Sequence, residues 1–284
     1  GAAITFSGAA KTFNTGVNPS VTLNGNAGAA INFTGGALAI TTSSGIGFNA
    51  MSGGTITVQG TGNTISASTG VALNVANVTI GAVGLTPETG LRFQSISSGG
   101  SAGNVGISLD TTGGSGSLTV TGTGAPGSGG TIANKTGGDG STISGIGIYL
   151  NNTTGPSFTR MQLNGFSNFA IRGTSVVGFS LIDSVINGVN GDNPNVDDAS
   201  VAFDNLTGSA SILRNTIQGA IEDNFRVINT SGVLNRIVFD TTTIGANDTT
   251  SGDNGLLLQA RNSARINATV TGCSFTSARG DMFP

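Results

Sequence analysis

Residues 148–155 (IYLNNTTG) carry the pattern that decides the fold, and residues 201–208 (VAFDNLTG) and 225–232 (FRVINTSG) repeat it. Each segment has apolar residues at its first and third positions and ends in Asn-x-Thr/Ser-Gly. Alternation with a period of two is typical of a strand with one face turned inward. The same frame fits the segments at Ile171 and Leu256, so the second half of the chain is predicted to contain a series of similar strands.

A second series of segments runs in step with the first. Its members are short apolar runs centred on Leu163, Ile186, Ile217, Ile244 and Phe275, and each follows one segment of the first series. The glycine position of the first series is unevenly spaced, falling at Gly155, Gly178, Gly208, Gly232 and, as a serine, Ser263. The order of the two series nevertheless never changes. The two series are called here the first and the second ladder. Because they keep register while the lengths between them vary, they indicate stacked coils with loop insertions.

The composition favours short strands that turn frequently. The 284 residues include 48 glycines, 37% are hydrophobic, 9% are charged and the net charge is −3. This composition is too apolar and too weakly charged for a disordered chain. Good helix formers never cluster at helical spacing, which excludes a βαβ sheet, and an antiparallel sandwich would not need segments to recur in parallel register. We therefore predict an all-β fold, a right-handed parallel β-helix with coils of about 23–31 residues.

One β-helix is predicted for the whole chain, residues 1–284, as a fragment of a longer protein. Residues 1–54 are expected to form irregular N-terminal coils and residues 55–284 regular ones. Because both terminal coils look strand-like and uncapped, we expect the chain to continue or copies to associate end to end. The pI near 4.7 and the lack of a basic stripe argue against nucleic acid. No stretch approaches the roughly 18 apolar residues of a membrane span.

Segments such as residues 70–76 (GVALNVA), 90–97 (GLRFQSIS) and 255–260 (GLLLQA) resemble the pectate-lyase-like parallel β-helix repeats of large bacterial cell-surface proteins, adhesins and autotransporter passengers. The resemblance covers about residues 55–280. It implies an extracellular or cell-surface location and a structural or adhesive role, as a stalk that binds a surface carbohydrate or protein or projects another domain. The same fold also hosts enzymes, so a polysaccharide lyase or glycoside hydrolase is the alternative.

The enzymatic alternative lacks residues that the resemblance would require. Polygalacturonase-like hydrolases carry an Asp-Asp pair, which Asp197 and Asp198 could supply, but the chain has no histidine for their Gly-His-Gly motif and no Arg-x-Lys motif. The lyases need clustered Lys or Arg near acidic metal ligands, and the chain has only two lysines, Lys11 and Lys135. A Ser or Cys nucleophile would also lack its usual base. We therefore predict that the chain is not an enzyme.

Acidic residues are concentrated in one region, since ten of the fourteen lie between residues 183 and 253. The segments that follow Ile186, Ile217 and Ile244 should leave the rod at one corner and bring many of these acids together. Carboxylate and amide oxygens are the ligands that calcium prefers. The candidate calcium ligands are Asp192, Asp197, Asp198, Asp248 and Asp253. Two other interpretations stay open: a carboxylate pair for glycoside cleavage, and plain turn formation by Asp, Asn and Gly.

Overall fold

The computed structural model describes residues 1–81, 90–114, 116–193, 196 and 198–282. These residues form thirty strands and no helix, and the strands pass in a repeating order through three parallel sheets over about ten turns. Within the described ranges, therefore, no helix is long and apolar enough to cross a membrane.

The three sheets are named here in the order in which the chain enters them. Sheet 1 contains β1 (Ala3–Phe6), β4 (Ala30–Phe33), β7 (Thr55–Val58), β10 (Thr79–Ile80), β11 (Leu91–Phe93), β14 (Leu118–Val120), β17 (Ser157–Thr159), β20 (Val177–Ile182), β23 (Thr207–Leu213), β26 (Val233–Asp240) and β29 (Arg265–Thr271). Sheet 2 contains β2 (Lys11–Gly16), β5 (Leu38–Thr42), β8 (Thr64–Ala67), β12 (Ser95–Ser98), β15 (Gly130–Lys135), β18 (Met161–Phe166), β21 (Val185–Asn190), β24 (Thr216–Ile217), β27 (Thr243–Ile244) and β30 (Ser274–Phe275). Sheet 3 contains β3 (Val21–Asn24), β6 (Phe48–Met51), β9 (Leu73–Ala76), β13 (Val105–Thr112), β16 (Ile146–Thr153), β19 (Phe169–Thr174), β22 (Ala199–Asp204), β25 (Asp223–Asn229) and β28 (Leu256–Ala260).

The strand register confirms both predicted ladders. In sheet 3, Ile148 pairs with Ile171 and Ile171 with Val201, and the row continues through Phe225 to Leu256. In sheet 2 the paired row is Leu163, Ile186, Ile217, Ile244 and Phe275. The fold is therefore the predicted parallel β-helix.

Coil length varies at the corners of the helix. The coil from Leu163 to its partner Ile186 is short, whereas the coil from Ile107 to its partner Ile148 is far longer. This longer coil exceeds the predicted range, in part because residues 136–145 form an insertion between sheet 2 and sheet 3. Insertions of this kind leave the stacked strands unchanged, since each coil contacts only its neighbours.

Residues 1–54 contain six strands, β1 to β6, with two in each sheet. Ile4 pairs with Ile31 in sheet 1, and Phe13 pairs with Ile40 in sheet 2. Strand β1 is exposed along its length, and its one neighbour in the sheet is β4. The N-terminal strands thus join the same three sheets as the rest of the described chain.

A continuous column of apolar side chains fills the interior. Phenylalanine rings from successive coils are in contact along it: the ring centroids of Phe179 and Phe203 lie 4.8 Å apart, and those of Phe225 and Phe239 lie 5.0 Å apart. Each large side chain buried in this way contributes about 1.5–3 kcal/mol to folding. The first and third positions of the repeated frame point inward as predicted, since Leu258 is partly buried against this core and the others are fully buried, namely Ile148, Leu150, Val201, Phe203, Phe225, Val227 and Leu256.

Lys135 is a charged residue buried beside this column. Its Nζ atom donates hydrogen bonds to the carbonyl oxygens of Thr69, Gly99 and Gly100 at 3.0, 3.3 and 2.8 Å. These acceptors belong to the corners that follow β8 and β12, so the side chain ties its own coil to the two preceding coils. Burial lowers the pKa of Lys135 to about 8.

Candidate functional site

The corner between sheet 2 and sheet 3 brings together the acidic segments identified in the sequence. These segments follow β21, β24 and β27, which are neighbouring strands of sheet 2. Their backbones are hydrogen-bonded to one another, since Glu222 N donates to Asp198 O and Asp253 N donates to Glu222 O, both at 3.2 Å. The second ladder therefore predicted the location of this corner correctly.

Two of the predicted calcium ligands, Asp192 and Asp198, lie together at this corner, and Asp139 joins them. One carboxylate oxygen from each residue lies within 4.8 Å of the others. The backbone N of Asp192 also donates to Asp198 Oδ2 at 3.1 Å. Asp139 belongs to the insertion 136–145, two coils earlier, and was not among the ligands predicted from the sequence. Extending the second ladder back to β15 would have placed it at the same corner.

Two other predicted calcium ligands, Asp248 and Asp253, lie outside the group formed by Asp139, Asp192 and Asp198. Asp248 Oδ1 accepts hydrogen bonds from the backbone N atoms of Ser251 and Thr250, both at 2.8 Å, and these bonds lower the pKa of Asp248. Asp253 is exposed, and its backbone carbonyl accepts a hydrogen bond from Asn247 Nδ2 at 3.0 Å. Neither residue joins the acidic group among the described residues. Asp197 lies outside the described residues.

Desolvation is the main cause of the raised pKa values of Asp198 and Asp192. Asp198 is fully buried, and burial, together with the charges of Asp192 and Asp139, raises its pKa to about 7. Partial desolvation raises the pKa of Asp192, although its side chain is exposed, and the neighbouring Asp139 adds to this effect. With a pKa of about 7, the Asp198 carboxyl group can hold a proton near neutral pH.

A groove of about 590 Å³ lies beside this corner on the outer face of sheet 3. Its lining includes three arginines, Arg172, Arg226 and Arg261. Arg172 and Arg226 occupy paired positions on either side of Ala202, on the neighbouring strands β19, β22 and β25. Their backbones are therefore two strand spacings, about 10 Å, apart along the helix axis.

Two of these arginines are fixed by contacts within the protein. Arg172 is 6% exposed, forms an ion pair with Asp204, and its guanidinium lies 5.5 Å from the centre of the Phe169 ring. Its Nη1 donates to the carbonyl of Gly173 at 2.9 Å, and its Nε has no hydrogen-bond partner among the described residues. Arg226 is 5% exposed and lies 3.7 Å from Asp223. Both guanidinium groups are thus held in place before any ligand binds.

Polar groups line the groove on both sides. Thr142 and Asp198 come from the corner with sheet 2, while Asn205 and Thr230 come from the corner with sheet 1. Asn205 Oδ1 accepts a hydrogen bond from Thr230 N at 2.8 Å, which fixes that side of the groove. Fixed cations together with hydroxyl and amide groups can bind a polar ligand that carries negative charge.

This groove was not predicted from the sequence, although the sequence contains a signal for it. The second position of the first ladder's frame points outward, and in successive coils it is Tyr149, Arg172, Ala202, Arg226 and Leu257. Following that outward row, as well as the inward rows, would have placed two arginines on one face of the rod. Arg172 and Arg226 are far apart in the sequence, and only the strand register shows that they share a face.

Fold and groove together define the class of this protein: a parallel β-helix with a charged groove on the outer face of one sheet. The chain matches no protein-family model, no curated protein and no solved structure. Its function is therefore inferred from its own residues.

Proposed function

We propose that the chain is a structural and adhesive module of an extracellular or bacterial cell-surface protein, and that it binds an acidic carbohydrate along the sheet 3 groove. The observation that carries this proposal is the pair Arg172 and Arg226, two nearly buried guanidinium groups that line one groove from paired strand positions.

Fixed arginines suit a sugar that carries carboxylate groups. The guanidinium plane forms two parallel hydrogen bonds with a carboxylate, which gives both affinity and orientation. Because Arg172 and Arg226 are already ordered by their contacts with Asp204 and Asp223, binding would cost little further side-chain entropy. The hydroxyl and amide groups along the groove can hydrogen-bond to sugar hydroxyls.

The architecture suits a module that holds a binding face away from its anchor. About ten turns at the spacing of neighbouring strands give a body roughly 50 Å long. Each coil is hydrogen-bonded to the next along all three sheets, so Arg172 and Arg226 are carried on regular strands at the floor of the groove. Such a scaffold can be lengthened without changing the coils that carry the site.

The test is binding to two polysaccharides that differ in charge. Polygalacturonate carries a carboxylate on each sugar, and dextran is neutral. We expect the purified chain to bind polygalacturonate, to bind it less strongly as salt is added, and not to bind dextran. Salt weakens the interaction because it screens the attraction between the carboxylates of the polymer and the arginines that line the groove. Equal binding to dextran, or binding that salt does not alter, would contradict the proposal.

A polysaccharide-processing enzyme is the second candidate, and one observation favours it. A groove in which carboxylates and arginines converge distinguishes an enzymatic β-helix from a passive rod, and Asp198 and Asp204 line the same groove as the three arginines. The ion pair with Arg172 engages the carboxylate of Asp204, which leaves Asp204 less suited to act as a catalytic acid or base. Incubation with polygalacturonate separates the two: new reducing ends or unsaturated products, absent with Asp198→Asn, would establish the enzyme, and intact polymer would support the adhesive module.

A further inference from the structure

We propose that Asp139, Asp192 and Asp198 bind a divalent cation of the calcium type, and that this ion joins two corner segments belonging to coils two turns apart. The ligands differ from the set expected from the sequence, since Asp139 takes part and Asp248 and Asp253 do not. Cation binding here does not depend on the carbohydrate function of the neighbouring groove.

The distances among the three carboxylates suit one ion. Their ligand oxygens all lie within 4.8 Å of one another. Calcium binds oxygen at about 2.4 Å, so two oxygens on opposite sides of one ion are about 4.8 Å apart. Asp139 and Asp192 are exposed, which leaves the group accessible to an ion from solvent, whereas Asp198 closes it on the protein side.

The buried carboxylate of Asp198 supplies an independent indication of a ligand. Its Oδ2 accepts a hydrogen bond from Asp192 N, but its Oδ1 is buried and has no hydrogen-bond donor in the described part of the chain. Buried acceptors nearly always have a donor or an ion as partner, because an unsatisfied one is costly. A cation shared with Asp139 and Asp192 would satisfy this oxygen and neutralise the converging charges.

The two segments that the ion would join already touch each other. A methyl group placed on Gly140 would lie 2.9 Å from Val196 Cγ1, so the insertion 136–145 packs against the segment that contains Val196. Asn168, at the short corner between them, donates from Nδ2 to the carbonyls of Gly138 and Ser144 at 3.1 and 2.8 Å. Gly140 and Val196 also line the sheet 3 groove, so an ion here would hold one wall of that groove in position.

Calorimetric titration of the chelator-treated, dialysed chain with calcium chloride tests the site directly. We expect one calcium per chain, with a Kd of about 10⁻⁴–10⁻³ M as in extracellular calcium modules. Asp139→Asn and Asp192→Asn should each weaken binding by about ten-fold or more, because calcium affinity follows the number of charged ligands. Both side chains are exposed, so both variants should fold. Asp248→Asn is the matched control at the same corner and should bind calcium as the unaltered chain does.

The melting temperature provides a second test of calcium binding at the same site. Calcium should raise it in the unaltered chain and in Asp248→Asn, since an ion that binds only the folded state stabilises that state. The increase at the same calcium concentration should be smaller in Asp139→Asn. The proposal is overturned by an unaltered chain that binds no calcium, by binding that survives Asp139→Asn but not Asp248→Asn, or by equal stabilisation with sodium chloride of the same ionic strength.

Discussion

Gly173 and Phe203 face each other on adjacent strands of sheet 3, and the glycine makes room for the ring. The two residues are paired in the register of β19 and β22. A methyl group on Gly173 would lie 2.2 Å from Phe203 Cδ1. The ring of Phe203 also contacts that of Phe179, and its centroid lies 6.4 Å from that of Phe225. Large and small side chains in consecutive coils thus share the volume of the core.

Gly173→Ala should lower the free energy of unfolding by about 1–3 kcal/mol, because an added methyl group overpacks a filled core. Adding Phe203→Leu should restore part of this loss, since the smaller side chain removes the clash. Urea unfolding of both single variants and the double variant measures the coupling between the two sites. Additive effects would show that the two side chains do not compete for space.

Phe203→Asp should prevent folding, because an unpaired charge buried in the core costs several kcal/mol. Val177→Asp is the matched control, since Val177 is 47% exposed on sheet 1. Circular dichroism of the two purified variants should show strand structure in the control only. A folded Phe203→Asp chain would mean that the assigned register is wrong.

Lys135 should make stability depend on pH in the alkaline range. Burial lowers its pKa to about 8 from the ordinary value of 10.5. Between these values the unfolded state holds a proton that the folded state has released, so the free energy of unfolding should rise with pH, by at most about 3 kcal/mol. Below pH 8 Lys135 is protonated in both states, so it causes no change of the free energy of unfolding with pH. Lys135→Met should lack the rise.

Comparing the unaltered chain with Lys135→Met isolates the effect of Lys135 on stability. Burial raises the pKa of Tyr149, which acts in the opposite direction, but this residue is present in both chains. Denaturant unfolding at several pH values from 7 to 11 gives the difference in stability. A constant difference across that range would show that Lys135 keeps its proton in the folded state.

Asn205 combines a left-handed backbone conformation with side-chain hydrogen bonds to the next coil. Its φ of 56° is in the left-handed region, and its Oδ1 accepts hydrogen bonds from Thr230 N and Thr230 Oγ1 at 2.8 and 3.1 Å. Asn205→Ala removes those bonds and keeps the unfavourable φ, so we expect a loss of about 1–3 kcal/mol. Asn205→Gly relieves the φ and should lose less. Equal losses in thermal or urea unfolding would assign the whole effect to the hydrogen bonds.

Sheets 2 and 3 could be predicted from the sequence because their strands keep a fixed frame. Ile186, Ile217 and Ile244 recur in equivalent sequence contexts, and period-two alternation shows which face is buried. Sheet 1 offered no such repeated frame, and several of its pairings, those among β20, β23, β26 and β29, contain register shifts.

The candidate site was only partly predictable. Asp192 and Asp198 were found because they are close in sequence and lie in an acidic segment. Asp139 lies in a segment with no other acid nearby, and only the stacking of β15, β18 and β21 brings it to the same corner. Arg172 and Arg226 are likewise far apart in the sequence, on strands two coils apart, so their shared groove depends on the strand register.

The most direct test of the central claim is the affinity for polygalacturonate of chains that lack groove arginines. We predict that Arg226→Gln and Arg261→Gln each weaken binding by about ten-fold or more, since a hydrogen bond to a charged group contributes about 1.5–3 kcal/mol. Arg236→Gln is the matched control, because Arg236 is exposed on sheet 1, outside the groove. Unchanged binding in Arg236→Gln with loss in the other two is the predicted result. Equal affinity in all three variants and the unaltered chain would contradict the account.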